Sequence, residues 1–185
     1  MYSWNLYYKW LWSAEEGKSD RYYSLNYRIY DKDNRNLEER LKAFYMTAEE
    51  LWKKSGFYGT YEAWPFGEAP DELADLVLKG IKTATCSAYE LYQINNEPLP
   101  QVGDYSVILN SSEEAVCIIK TLKVYVTAFN QVSDEHAFKE GEGDRSLEYW
   151  RMVHVSFLTN ELASVHKAFD EHTKVVCEEF EVVYQ

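Results

Sequence analysis

The chain has 185 residues, 46% of them hydrophobic, and a net charge of −12. That length suits one domain with room for a small added module, and it buries roughly 70% of the unfolded surface without any staple. The acidic balance repels polyanions, which excludes a protein that coats nucleic acid through a general basic face. No apolar run reaches the roughly 18 residues of a membrane span. The start Met1-Tyr2-Ser3-Trp4 lacks a secretory signal, so a cytoplasmic protein with no membrane partner is expected. Cys86, Cys117 and Cys177 stand far apart with no Cys-x-x-Cys pair, which argues against a disulfide framework and a zinc ribbon and reads as three buried small side chains.

Residues 1–36 differ from the rest. They hold ten of the thirty aromatic residues and six Lys or Arg against five Asp or Glu, whereas residues 37–185 carry 13 basic and 26 acidic residues. This N-terminal aromatic-rich stretch is read as an extension outside a main domain of residues 37–185, with a strand expected at 22–30. A helix follows from Leu37, with Asn36 as its cap, an apolar stripe ending at Leu51 and Trp52, and Gly56 as its stop. Gly59, Trp64-Pro65-Phe66-Gly67 and Pro70 read as a punctuated loop. Asp71 is expected to cap a short helix that ends at Gly80.

The pattern then turns to strands. Ile81 to Cys86 is the first, and one helical turn follows near Ser87 to Gln93. Tyr105 to Leu109 and Ala115 to Phe129 form a hairpin about the polar turn Asn110 to Glu114. Ser133 caps a short helix through Lys139, and Glu140-Gly141-Glu142-Gly143-Asp144 reads as a loop. Ser146 to Leu158 is a helix, Asn160 caps another to Val165, and Val175 to Tyr184 is the last strand. Helices first, about five strands, and helices again before the final strand give an α+β fold, a small mostly antiparallel barrel with helices over its openings.

Two segments carry candidate chemistry. In Gly80-Ile81-Lys82-Thr83-Ala84-Thr85-Cys86-Ser87, strand alternation puts Thr83, Thr85 and Ser87 on one face, and Lys82, Ala84 and Cys86 on the other, with the direction of Lys82 left open because helix gives way to strand there. A lysine beside hydroxyls suits a phosphate anchor or, if desolvated, a base that activates a threonine; a solvent-facing edge strand is the plainer reading. Glu140 to Asp144 suits a divalent cation or one precisely placed acid, or simply an acidic loop. Trp64 and Phe66 suit base stacking or core packing. No His-Glu-x-x-His set and no Gly-x-Ser-x-Gly elbow is present.

In order, Trp64-Pro-Phe-Gly67, Glu72-Leu-Ala74, Leu78-Lys-Gly80, Lys82-Thr-Ala-Thr85, Gly103-Asp104 and His136-Ala-Phe-Lys-Glu140-Gly141, then Gly143-Asp144, Trp150-Arg151 and His154, resemble the ASCH family, whose domains have a PUA-like β-barrel. The resemblance runs from about Trp64 to Tyr184. It implies an RNA or nucleoside ligand. For the family's small amidohydrolases of N4-acetylcytidine it implies a catalytic set of Lys82, Thr85 and Glu140, and for a metal-dependent ribonuclease it implies a divalent ion. Neither a metal ligand set nor a cofactor is expected otherwise. Thr83, Ser87, Arg145 and Arg151 join Trp64 and Phe66 as expected ligand contacts. Two features differ from the amidohydrolases: Cys86 and Ser87 stand where those have an arginine, and the N-terminal helix and Trp64 loop are additions.

Overall fold

The computed structural model describes residues 45–185, and the account below concerns these. The extension at 1–36, its strand at 22–30 and the first part of the helix expected from Leu37 lie outside the described residues. Met46–Gln185 forms one unit.

The first helix among the described residues, α1 (Ala48–Ser55), begins at a reciprocal capping box made by Thr47 and Glu50. It ends as expected on Gly56, which takes a left-handed conformation at φ 73°. Leu51 and Trp52 bury its inner face. The segment read as a loop contains a short strand, β1 (Glu62–Pro65), which pairs in parallel with β3 (Tyr105–Leu109). Pro65 is tolerated because β1 is an edge strand and Pro65 is its last residue. α2 (Pro70–Leu78) begins on its proline. Asp71 does not cap it; its carboxylate accepts from the Ser111 backbone and hydroxyl at 2.8 and 2.7 Å.

β2 (Ala84–Ala88) leads directly into α3 (Tyr89–Asn95). β3 and β4 (Ala115–Ala128) make the expected hairpin. α4 (Asp134–Glu140) is capped by Ser133, whose hydroxyl accepts from the His136 N–H at 3.2 Å. Glu140 is thus the last residue of a helix, not part of the acidic loop. α5 (Leu147–Ser164) is one continuous helix capped by Ser146. Asn160 is internal to it, since no glycine or proline interrupts the turn there. β5 (Lys174–Tyr184) closes the chain.

The sheet order is β1-β3-β4-β5-β2, antiparallel except for β1–β3. Its one face packs Val107 and Ile118 against α1, and Cys86, Ala88, Val175 and Cys177 against Ala137, Trp150, Leu158 and Leu162 of α4 and α5. The opposite face packs Ile108, Cys117, Ile119 and Phe180 against Phe66 and the α2 residues Ala74 and Val77. The five strands curl into a half-barrel flanked by five helices, an α+β arrangement of the PUA-like type.

Candidate functional site

The chain between α2 and β2 is strapped at both ends. The Ile81 and Lys82 N–H groups donate to the Leu76 carbonyl at 2.9 and 3.1 Å, and the Thr83 N–H donates to the Lys139 carbonyl at 2.7 Å. Lys82 is thereby carried to the C-terminal end of α4, where Glu140 sits. The two segments approach closely because Gly141 caps α4 at φ 78°: a Cβ there would lie 2.6 Å from the Ile81 carbonyl oxygen.

The Lys82 ammonium donates to Glu140 Oε2 and to Glu142 Oε1, both at 2.9 Å. Lys82 and Glu140 side chains are each 1% exposed. The other Glu140 oxygen, Oε1, accepts from Trp150 Nε1 at 2.8 Å and from His136 Nε2 at 3.2 Å. His154 Nδ1 donates to the Trp150 carbonyl at 2.9 Å, which leaves its Nε2 facing Glu140 at 3.7 Å. The Trp150 ring is held between Phe129 and His154, with centroids at 5.1 and 4.2 Å. His136 Nδ1 is buried without a hydrogen-bond partner among the described residues.

Burial alone disfavours both charges. For Glu140 the burial effect is outweighed by Lys82, His154 and His136, which hold its carboxyl well below the usual range. For Lys82, Glu140 and Glu142 outweigh burial and raise the ammonium above its ordinary value. The pair is therefore fully ionised at neutral pH. Cys86 lies against it, and burial together with the Glu140 charge pushes that thiol well up, so it stays protonated.

Beside this network is a cavity of about 440 Å³, whose lining includes Val77, Lys82, Thr83, Phe180, Val182 and Tyr184. Lys82 and Thr83 are both among its lining residues. Thr85 is not joined to the ion pair. It faces away from its neighbour Cys86, pairs across the strands with Glu178, and makes no hydrogen bond to Lys82 or Glu140. Ser87 shares that side and hydrogen-bonds the Tyr92 hydroxyl at 2.9 Å. Phe66 is 3% exposed and packs in the core, the second of the two roles open to it, and its ring takes the Lys82 ammonium at 5.3 Å. Trp64 is half-buried edge-on to Phe66. Arg145 lies over the Phe138 ring, and Arg151 donates to the Asn130 carbonyl; neither lines the cavity.

The sequence reading missed Glu142, Trp150 and His136 as partners. The spacing of His136 and Glu140, four residues apart on one helix, was the available signal for the last. Cys86, Glu140 and His154 present ligand atoms within 4.8 Å of one another, the one such group among the described residues. Lys82 already occupies the carboxylate and the thiol is protonated, so the donor set as it stands fits a cation poorly.

The ASCH domain profile matches residues 62–184, about two-thirds of the chain. The chain belongs to the ASCH domain family. The crystal structure of an ASCH domain from Lactobacillus crispatus JV V101 aligns at a TM-score of 0.67 and 35% identity, covering 80% of this chain and 92% of that one. A crystal structure of a protein from Enterococcus faecalis V583 aligns at 0.66 and 34% identity, covering 74% and 85%. No curated protein matches. This ASCH domain thus builds its most buried polar feature from the Lys82-Thr-Ala-Thr85 and His136 to Glu140 segments that carried the resemblance.

Proposed function

We propose that this ASCH domain binds a single nucleoside, free or at an exposed position of an RNA, in the cavity beside Lys82. The observation that carries this is the cavity itself: its volume of about 440 Å³ falls in the range of small-ligand sites, and its walls combine Phe180, Val182 and Tyr184 with the polar Lys82 and Thr83. A polymer track is disfavoured by the surface charges. Lys123 pairs with Glu179 at 2.7 Å, and Lys139 with Glu179 at 2.8 Å, so these cations are already matched rather than lined up for phosphates.

Binding is favoured over catalysis on electrostatic grounds. Deacylation of an N4-acetylcytidine-type substrate by Lys82, Thr85 and Glu140 requires an uncharged lysine base and a protonated acid. The ion pair holds both groups in the opposite forms, and Thr85 is directed away from them. A metal-dependent ribonuclease would draw on Glu140, Glu142 and Asp144. The first two are bound to Lys82, and Asp144 accepts from the Ser146 N–H at 2.9 Å.

The test is calorimetric titration of the full chain with the four ribonucleosides, N4-acetylcytidine and a short RNA, with product analysis by chromatography. Saturable 1:1 binding of a nucleoside without turnover, weakened at least tenfold when Val182→Trp fills the cavity, is the expected result. Absence of binding by every ligand at low salt overturns the proposal. Release of acetate that Lys82→Ala abolishes replaces it with the enzymatic reading.

A further inference from the structure

The sheet face that carries Thr85 holds a second polar constellation. Register places Glu62 beside Ser106 on β1 and β3, Ser106 beside Ile119 on β4, and Glu178 beside both Val124 on β4 and Thr85 on β2. Thr121 is next but one to Ile119, and its hydroxyl donates to Glu178 at 3.4 Å. Glu62, Ser106, Thr121, Glu178 and Thr85 therefore form a row across all five strands, on one face. Ser87 and the Tyr92 hydroxyl, bonded to each other, extend it beyond β2. In a flat sheet Glu62 on one edge and β2 on the other would stand on the order of 19 Å apart. Yet the Glu62 charge acts on both Glu178 and Tyr92, so the sheet curls with this row on its inner side.

Among the described residues, no cation acts on this row. Burial pushes the Glu178 carboxyl up to about 7, the Thr121 hydroxyl opposes this, and the charges that act on Glu178 come from Glu62 and Asp104 and are negative. Tyr92 is pushed up to about 12 by burial, with Ser87 opposing and the negative charges of Glu178, Glu62 and Glu97 adding to the rise. Ser106 is 9% exposed and its hydroxyl makes no hydrogen bond among the described residues. The contrast with Glu140 is direct. That carboxylate has Lys82, Trp150 and His136 built around it, while a second shielded carboxyl, on the opposite face of the same sheet, has hydroxyls and other acids. A shielded carboxyl with only negative neighbours is stabilised by whatever supplies a counter-ion.

We propose that this inner row is a binding site for a compact organic cation, a guanidinium or ammonium group on a short polar body, with Glu178 as its counter-ion and Ser106, Thr121 and Thr85 as hydrogen-bonding partners. The cation takes the place that Lys82 fills for Glu140. Binding requires Glu178 ionised, so it releases a proton wherever the free protein holds Glu178 protonated. Affinity therefore rises with pH up to about 7 and levels off above it.

The experiment is titration calorimetry of the full chain with agmatine and with its neutral analogue n-butylurea, at pH 6 and pH 8, in two buffers of different ionisation enthalpy. Agmatine is expected to bind 1:1 and about tenfold more tightly at pH 8 than at pH 6, with proton release at pH 6 that vanishes at pH 8. Glu178→Gln keeps the shape, removes the charge, and is expected to lose at least tenfold in affinity while its melting temperature stays within a few degrees. Proton release on the unaltered protein reads the same group without any variant. Equal binding of n-butylurea, an affinity independent of pH, unaltered binding by a folded Glu178→Gln, or no agmatine binding at millimolar concentration overturns the proposal.

Discussion

Replacing Lys82 with methionine tests the electrostatic account of the buried network most directly. The variant keeps most of the aliphatic stem and removes the ammonium, leaving Glu140 1% exposed without the charge that neutralises it. Removing one partner of a buried pair costs about 3–5 kcal/mol. Trp150 and His136 still donate to the carboxylate at 2.8 and 3.2 Å, which holds the loss toward the lower figure. For a chain of this length the expected fall in melting temperature is roughly 6–20 °C. The pH dependence has a definite sign. In the unaltered protein the Glu140 carboxyl is held well below its ordinary value, so its contribution is complete above the usual carboxylate range and is lost as pH falls through the folded value. In Lys82→Met burial prevails and the carboxyl rises, so the deficit narrows between pH 7 and pH 5. Urea unfolding of both proteins across that interval measures it. A deficit under about 1 kcal/mol at pH 7, or one that widens on acidification, refutes the reasoning. Adding Glu140→Gln to Lys82→Met is expected to restore more than half of the loss.

Trp150→Phe deletes the 2.8 Å donor to Glu140 and is expected to cost about 1.5–3 kcal/mol by the same unfolding measurement, in addition to any packing loss. Gly141→Ala forces a Cβ to 2.6 Å from the Ile81 carbonyl oxygen, whereas at Gly56 the added Cβ meets open space. Both carry the left-handed strain of about 1–2 kcal/mol, and Gly141→Ala is expected to lose about 1–3 kcal/mol more, visible as a lower urea midpoint. Cys86, Cys117 and Cys177 are all buried, and burial pushes the Cys117 and Cys177 thiols up to about 12. A colorimetric thiol reagent at pH 8 is expected to label them slowly in the native protein and rapidly in urea.

Much of this arrangement was legible in local sequence. The Asn110 to Glu114 turn between β-branched runs located the β3–β4 hairpin, and Ser133 located α4, because both signals act within a few residues. Strand alternation also separated Cys86 from Thr85, and β2 keeps those sides apart, whereas Lys82 lies ahead of β2, where alternation left its direction open. Long-range effects were less visible. β1 exists because β3 offers it a parallel edge, so its Pro65 and the nearby glycines read as a loop. Asn160 resembled a helix cap but lies inside α5, where burial of Leu158 and Leu162 outweighs its local preference. Nothing in the composition distinguished Glu178 from the adjacent Glu179. Register turns the first toward Thr85 and the hydroxyls and leaves the second to Lys123 and Lys139.

The single-residue alternation along β2 also constrains how this chain can diverge. Exchange of Thr85 or Ser87 for another residue alters only the inner row, because Cys86 and Ala88 keep the opposite side in place. Inserting or deleting one residue between Gly80 and Ala88 would do something different in kind. It would rotate every following position by half a period, sending hydroxyls into the core packed on Trp150 and turning the thiol toward the inner row. Divergence in this segment should therefore proceed by replacement at fixed length, while length changes collect in the turns at 96–103 and 165–173, beyond the strands.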